Sequence, residues 1–180
     1  MSTAPRPKSF AQPSKLDMSA LLSWLREDGV ISAQDADTTT RRFAGGHSAQ
    51  HPIIRLASAA LLRQRDGKLL DAEAITEWLA KRCGLTYLRI DPLKTDVGRV
   101  AEIMSINYAE RRRALPLNVG VHDVTIATCE PLDVGWVTEI EAHTRKSVKL
   151  VLVSPLELAR YTTEFYTLSR SVRAATKSGE

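Results

Sequence analysis

Apolar residues recur three and four positions apart through four successive stretches at the start of the chain, and further on they alternate or run together in short bursts. The first helical stripe is Met18, Leu21, Leu22 and Leu25, opened by Asp17 as an N-cap and stopped by Gly29. Ser32 with Asp35 three residues later predicts a second helix, ending before Gly45-Gly46. Pro52 in a first turn opens a third, whose face is Ile53, Leu56, Ala57, Ala60 and Leu61, and Asp66-Gly67 turns the chain after it. Asp71 caps a fourth, with Ala74, Ile75, Trp78 and Leu79 on one side and Gly84 as its stop.

Beyond Gly84 the period changes. Thr86–Ile90 alternates like a strand and is cut off by Asp91-Pro92. Val97, Val100, Ala101 and Met104 predict a helix, and Tyr108 to Arg112 a further turn or two. Ala114–Leu117 and Asp123–Thr128 are two short strands of a hairpin whose loop contains Gly120. Leu132, Trp136, Val137 and Ile140 then share a helical face. Val148–Val153 is an almost continuous apolar run, which predicts a central strand. Ser154, Pro155 and Glu157 together form a helix start with a capping-box acid, and Leu158, Tyr161 and Phe165 point inward from that helix.

The fold class is therefore α+β: a small N-terminal helical bundle over 16–84, followed by a mixed α/β subdomain with a short sheet and hairpin over 85–168. Residues 1–15, rich in Pro and Ser, form a flexible lead, and 169–180 a basic tail or a severed linker.

Charge changes this picture little. The net formal charge is +4, but Arg6, Lys8 and Lys15 at one end and Arg170, Arg173 and Lys177 at the other supply it, which leaves the body close to neutral. The basic character thus belongs to two tails, expected to be solvated and able to brush anionic lipid. Without a basic body or interleaved exposed aromatics, no nucleic-acid site is expected. No signal peptide and no membrane-spanning run is found, so free thiols at Cys83 and Cys129 and a cytoplasmic location are expected.

Candidate chemistry is sparse. A P-loop needs Gly five positions before Gly-Lys-Ser/Thr, so that backbone N–H groups cradle phosphate. The Gly67-Lys68 pair has Leu62 and Leu69 at those positions, and no dinucleotide or hydrolase signature is present. An enzyme is not expected. His47 and His51 are four apart, but Gly45-Gly46 and Pro52 put them in a polar loop without a third ligand, so no metal is expected. His122 and Asp123 are turn residues, and Trp24, Trp78 and Trp136 belong to apolar stripes. Arg111, Arg112 and Arg113 sit at a helix C-terminus, where the macrodipole favours them and where successive side chains point about 100° apart, so they are not expected to address one partner. Glu102 and Glu110 are close enough in sequence to offset them.

The order of these features resembles one family. A short helix ending in arginines, Ala114-Leu115-Pro116-Leu117, a hairpin, Val124 with Ile126-Ala127, Pro131-Leu132, a helix, an apolar strand and a helix carrying Phe165-Tyr166 is similar to the GspE N-terminal or MshEN-like domain of type II secretion and type IV pilus assembly ATPases. Leu69–Asp91 matches that family's acidic-capped helix, Gly-Leu turn and first strand, so the resemblance covers roughly 50–167, with weaker helical similarity over 16–45. It implies a non-catalytic docking and regulatory domain that precedes an ATPase motor, supplied in cis or in trans. The domain would bind the cytoplasmic part of an inner-membrane platform protein and stay peripheral to the membrane through that partner. The chain itself would be a piece of a longer ATPase or a stand-alone adaptor.

The alternative that the resemblance carries is a cyclic di-GMP sensor. Ligand-binding members of the family show two copies of a helical motif that opens Arg-Leu-Gly, has a central Gly and closes near a Gln. In the first copy here, Ala20-Leu21-Leu22 stands at the opening and Phe43 at the close, and Gly29 is retained. The second keeps Arg55 and Leu56 before Ala57, displaces its glycine to Gly67 and has Arg82 near the close. Arg55 is the first candidate for the dinucleotide, with Gly29 and Gly67 as supports. The degraded motifs favour the docking module, and apart from cyclic di-GMP no cofactor is implied.

Overall fold

In the computed structural model, which describes residues 15–178, the N-terminal helices form from their caps outward. Helix α1 (Met18–Glu27) begins where Asp17 Oδ1 accepts the Ala20 N–H at 2.7 Å, and it buries Leu21, Leu22 and Leu25. Helix α2 (Ala33–Phe43) begins at Ser32, whose Oγ accepts the Asp35 N–H at 3.0 Å. Helix α4 (Ala72–Cys83) is capped by Asp71 and ends at Gly84, which takes the left-handed conformation that favours glycine (φ +70°). Helix α3 (Pro52–Ala57) is shorter than its apolar pattern suggests. Ala60 adopts φ 52°, which ends the helix, and Leu62 then bridges Leu69 across the turn at Gly67. The expected lead lies almost wholly outside the described residues.

Four strands make a mixed sheet: β1 (Thr86–Tyr87), β2 (Ala114–Val119), β3 (Asp123–Thr128) and β4 (Ser147–Leu152), in the order β1-β4-β3-β2. Strand β4 is central, as its continuous apolar run predicts, and runs parallel to both neighbours. Strands β2 and β3 form the antiparallel hairpin. At the outer edge, Pro116 has no N–H to offer and the register shifts between Pro116 and Asn118. The segment before helix α5 (Val100–Ile103) covers that edge: Asp96 N–H donates to Leu117 O at 2.7 Å, and Val119 N–H donates to Asp96 Oδ2 at 2.8 Å. Asn118 Nδ2 also donates to Lys94 O at 2.8 Å.

Strand β1 is two residues long rather than five. Leu88 N–H still reaches Leu152 O at 3.0 Å, but Ile90 N–H turns to the Glu157 carboxylate at 3.1 Å. That contact draws Glu157 away from the helix start, so the expected capping box does not close. Ser154 Oγ is buried without a hydrogen-bond partner among the described residues. Helix α6 (Ile106–Arg112) precedes β2, and α7 (Val137–Thr144) precedes β4. Helix α8 (Pro155–Ser178) places Leu158, Tyr161, Phe165 and Tyr166 inward. The basic segment expected as a solvated tail continues this helix to Ser178, because Arg, Ala and Lys are good helix formers and Ser169 still packs, donating to Gly98 O at 3.3 Å.

The sheet lies between two apolar clusters. One gathers Val100, Leu115, Ile126, Trp136 and Phe165 under α5 to α8; the other gathers Leu21, Leu25, Ile53, Ile75 and Leu79 from α1, α3 and α4. Leu152 belongs to the second and Val153 to the first, since successive strand residues point to opposite faces. The α+β class follows directly.

Candidate functional site

Polar groups converge where the N-terminal helices meet α6. His51 is the cap of α3: its Nδ1 accepts the Ile53 N–H at 3.2 Å. It is 6% exposed, which corrects the expectation of a polar loop. His47 stays exposed and takes no part. Opposite His51 lies Glu130, just past β3 and 5% exposed. Glu130 Oε1 accepts from Arg113 Nη1 at 2.7 Å and lies 3.1 Å from His51 Nε2 in a bent contact, and its Oε2 takes the Leu16 N–H at 3.4 Å. Burial pushes the Glu130 carboxyl up, but the neighbouring His51 ring, the Arg113 charge and the Leu16 N–H outweigh it and hold the group below the ordinary carboxylate range.

Cys129 completes a buried trio with His51 and Glu130, whose donor atoms lie within 4.8 Å of one another, although sequence spacing suggested no third ligand. The trio could offer three ligands to an ion. The cap argues against that use. Because Nδ1 accepts a hydrogen bond, the proton of the neutral ring sits on Nε2, where a metal would have to bind. Burial, reinforced by the Glu130 charge, also pushes the Cys129 thiol up to about 12, so the thiolate a metal needs is disfavoured. Glu130 is instead the centre of a strap: it accepts from Leu16 of the N-terminal segment and from Arg113 after α6, with His51 of α3 in close contact.

Beside the strap opens a cleft of about 290 Å³. Arg55 of α3 lines it, and so do Arg111, Arg112 and Arg113, which corrects the expectation that the three arginines diverge. Regular helix geometry stops at Arg112. Arg113 adopts the left-handed conformation (φ 48°, ψ 54°) and reaches Glu130, while Arg112 lies 3.7 Å from Asp133. Glu102 is not their counterion, since it pairs with Arg99 at 3.1 Å. The guanidinium groups of Arg111 and Arg112 lie 5.6 and 5.9 Å from the Tyr108 ring, and that of Arg55 lies 5.0 Å from the Phe43 ring.

The other sequence candidates lie elsewhere. Gly29 and Gly67 both have positive φ, which glycine supplies in the turns after α1 and before Lys68, and neither lines the cleft with Arg55. Arg82 ties α4 to the end of α1 through Glu27 and Asp28, with its guanidinium over Trp24. Asp123 pairs with Lys149 across the sheet, and His122 is exposed. Trp136 is core, whereas Trp24 and Trp78 are half-buried, with Trp78 Nε1 donating to Asp28 at 2.8 Å. Sequence reasoning missed His51, Glu130 and the joint placement of the arginines. The one available signal was Pro52, which marks His51 as a helix cap.

Comparison with known proteins places this geometry in context. The MshEN domain model matches residues 83–172. A curated relative, the type IV pilus assembly ATPase TfpB of Acinetobacter baylyi, is 34% identical over an alignment of 166 residues that covers 89% of this chain. The chain spans 28% of that relative's length. The solved structure of MshE with cdg superposes with a TM-score of 0.54 at 18% identity, covering 84% of this chain and 100% of that one, which shows a shared fold. No helix among the described residues is long and apolar enough to cross a membrane.

Proposed function

The chain belongs to the MshEN domain family, and we propose that it serves as a non-catalytic docking and regulatory domain of a type IV pilus or type II secretion assembly ATPase. In this reading it is the N-terminal domain of such an ATPase, in the cytoplasm, bound to the cytoplasmic part of an inner-membrane platform protein, with the motor domain supplied in cis or in trans. The observation that carries a binding role is the state of the cleft's carboxylates. Glu130 is held by Arg113 and His51, Asp133 faces Arg112, and Asp17 caps α1, so each lining acid already serves a partner. A hydrolytic site needs a carboxylate or imidazole free to take a proton, and this cleft offers cations instead. It is built to bind rather than to react.

The docking role is tested by immobilising the chain and titrating it with the soluble cytoplasmic domain of a platform protein from the same organism. Saturable one-to-one binding is expected. A folded chain that binds no such domain sinks the reading.

A second reading is favoured by Arg55, which the sequence singled out and which lies in the cleft with its guanidinium over Phe43. The domain then senses cyclic di-GMP, the ligand that cdg denotes for its structural neighbour MshE. A guanidinium can fork to a phosphodiester or stack on guanine, so an arginine-lined cleft suits this ligand.

A further inference from the structure

A second depression opens beside the cleft, where α3 and α6 meet the start of α8. It is a groove of about 440 Å³ that shares Gln50 and Arg113 with the cleft. Its character is different. The walls are apolar, formed by Ile54 of α3, Ala109 of α6 and Leu158 and Ala159 of α8, and Leu156 lines it while 60% exposed. Arg113 is balanced by Glu130 at 2.7 Å. The groove's remaining charge is therefore Glu110, which is exposed and makes no ion pair among the described residues.

The chain delivers a matching segment to this place. Leu16 is buried with its N–H on Glu130 Oε2 at 3.4 Å, and Lys15 lines the cleft, so the residues before Lys15 set out from beside the groove. Residues 1–14 carry Arg6 and Lys8 without an acid, and Phe10 is their one aromatic side chain. Phe10 precedes Lys15 by five residues, a reach of up to about 17 Å in extended chain. Arg55, Arg111 and Arg112 make the cleft cationic, which repels Arg6 and Lys8, whereas Glu110 attracts them to the groove.

We propose that the groove between α3, α6 and α8 is the docking site of the chain's own residues 6–14, with the Phe10 ring seated against Ile54, Leu156 and Ala159 and with Lys8 facing Glu110. This goes beyond the docking and sensor readings and rests on neither. The apolar walls supply the burial that a lone aromatic ring needs. Because the segment is tethered, it meets the groove at an effective concentration on the order of millimolar, so one anchor and one ion pair suffice to hold it. Any partner peptide that enters the groove has to displace it first.

The test is fluorine NMR of the full chain labelled with para-fluorophenylalanine, which reports on Phe10, Phe43 and Phe165 separately. Phe10→Leu assigns the Phe10 resonance, and a labelled synthetic peptide of residues 1–14 gives its undocked position. In the wild type the resonance is expected away from that position. Ala159→Trp, at an exposed position that lines the groove, should fill the groove and return the resonance to the peptide's position. Glu110→Lys should lower the docked-to-free ratio about threefold, the scale of an exposed ion pair, and added salt should act in the same direction. Glu77→Lys, the same charge change at an exposed position of α4, should leave the ratio as it is. An unchanged resonance from the fully buried Phe165 shows that each variant is folded. A wild-type Phe10 resonance at the peptide's position overturns the proposal. So does a displaced resonance that Ala159→Trp leaves in place, since the segment then rests on another surface.

Discussion

A carboxylate buried against a histidine and an arginine stabilises a fold only while it is ionised, and Glu130 is in that position. Its folded pKa is held below its unfolded value of about 4.3, so its contribution is complete above that value and is lost as pH falls through the lower folded one. Glu130→Gln is expected to cost about 2 kcal/mol at neutral pH, because it leaves Arg113 and His51 facing a neutral amide. The gap between wild type and variant, measured by urea denaturation, should shrink as pH falls below about 4.3, since the wild type gains the same neutrality; a gap that stays constant would remove the carboxylate from this role. At this scale the sequence was least legible. His51 looks like a loop residue because Gly45-Gly46 and Pro52 flank it, and its partner comes from far along the chain. The three arginines look divergent until Arg113 is seen to leave helical geometry, which no local pattern marks.

Elements were more legible, because caps and stripes act over three or four residues. Asp17, Ser32 and Asp71 each accept the backbone N–H that their spacing promises, and Gly84 ends α4. Two misreadings share one cause. The strand over Thr86–Ile90 and the capping box at Ser154 both assume that local bonds win, and both give way to the long-range contact between Glu157 and Ile90 N–H. Helix α8 offers a test within a single element. Phe165 is fully buried beside Tyr161, at 5.3 Å between ring centres, so Phe165→Ala is expected to cost about 3–5 kcal/mol, whereas Leu168→Ala, at an exposed position three residues on, should cost below about 1 kcal/mol. Equal losses in urea denaturation would mean that α8 is packed on a different face.

Over the whole molecule, one sheet serves two apolar clusters, and adjacent residues Leu152 and Val153 pass from one to the other. Together with the strap through Glu130, this coupling predicts a single cooperative unfolding transition. Fluorescence from Trp136 alone, in a chain carrying Trp24→Phe and Trp78→Phe, should track helix loss by circular dichroism at every denaturant concentration. Separate midpoints would show that the helical bundle and the sheet subdomain unfold independently. The covered edge of the sheet has a further consequence for assembly. At β2 the ladder ends in Pro116 and a register shift, and Asp96 occupies Leu117 O and the Val119 N–H that an incoming strand would need; at the other end β1 offers only two residues. A partner that recruits this domain, or a second copy of it, cannot do so by extending the sheet as an added strand. Recognition has to pass through side chains on helices and loops, whose identities can change between related systems while the fold beneath them stays the same.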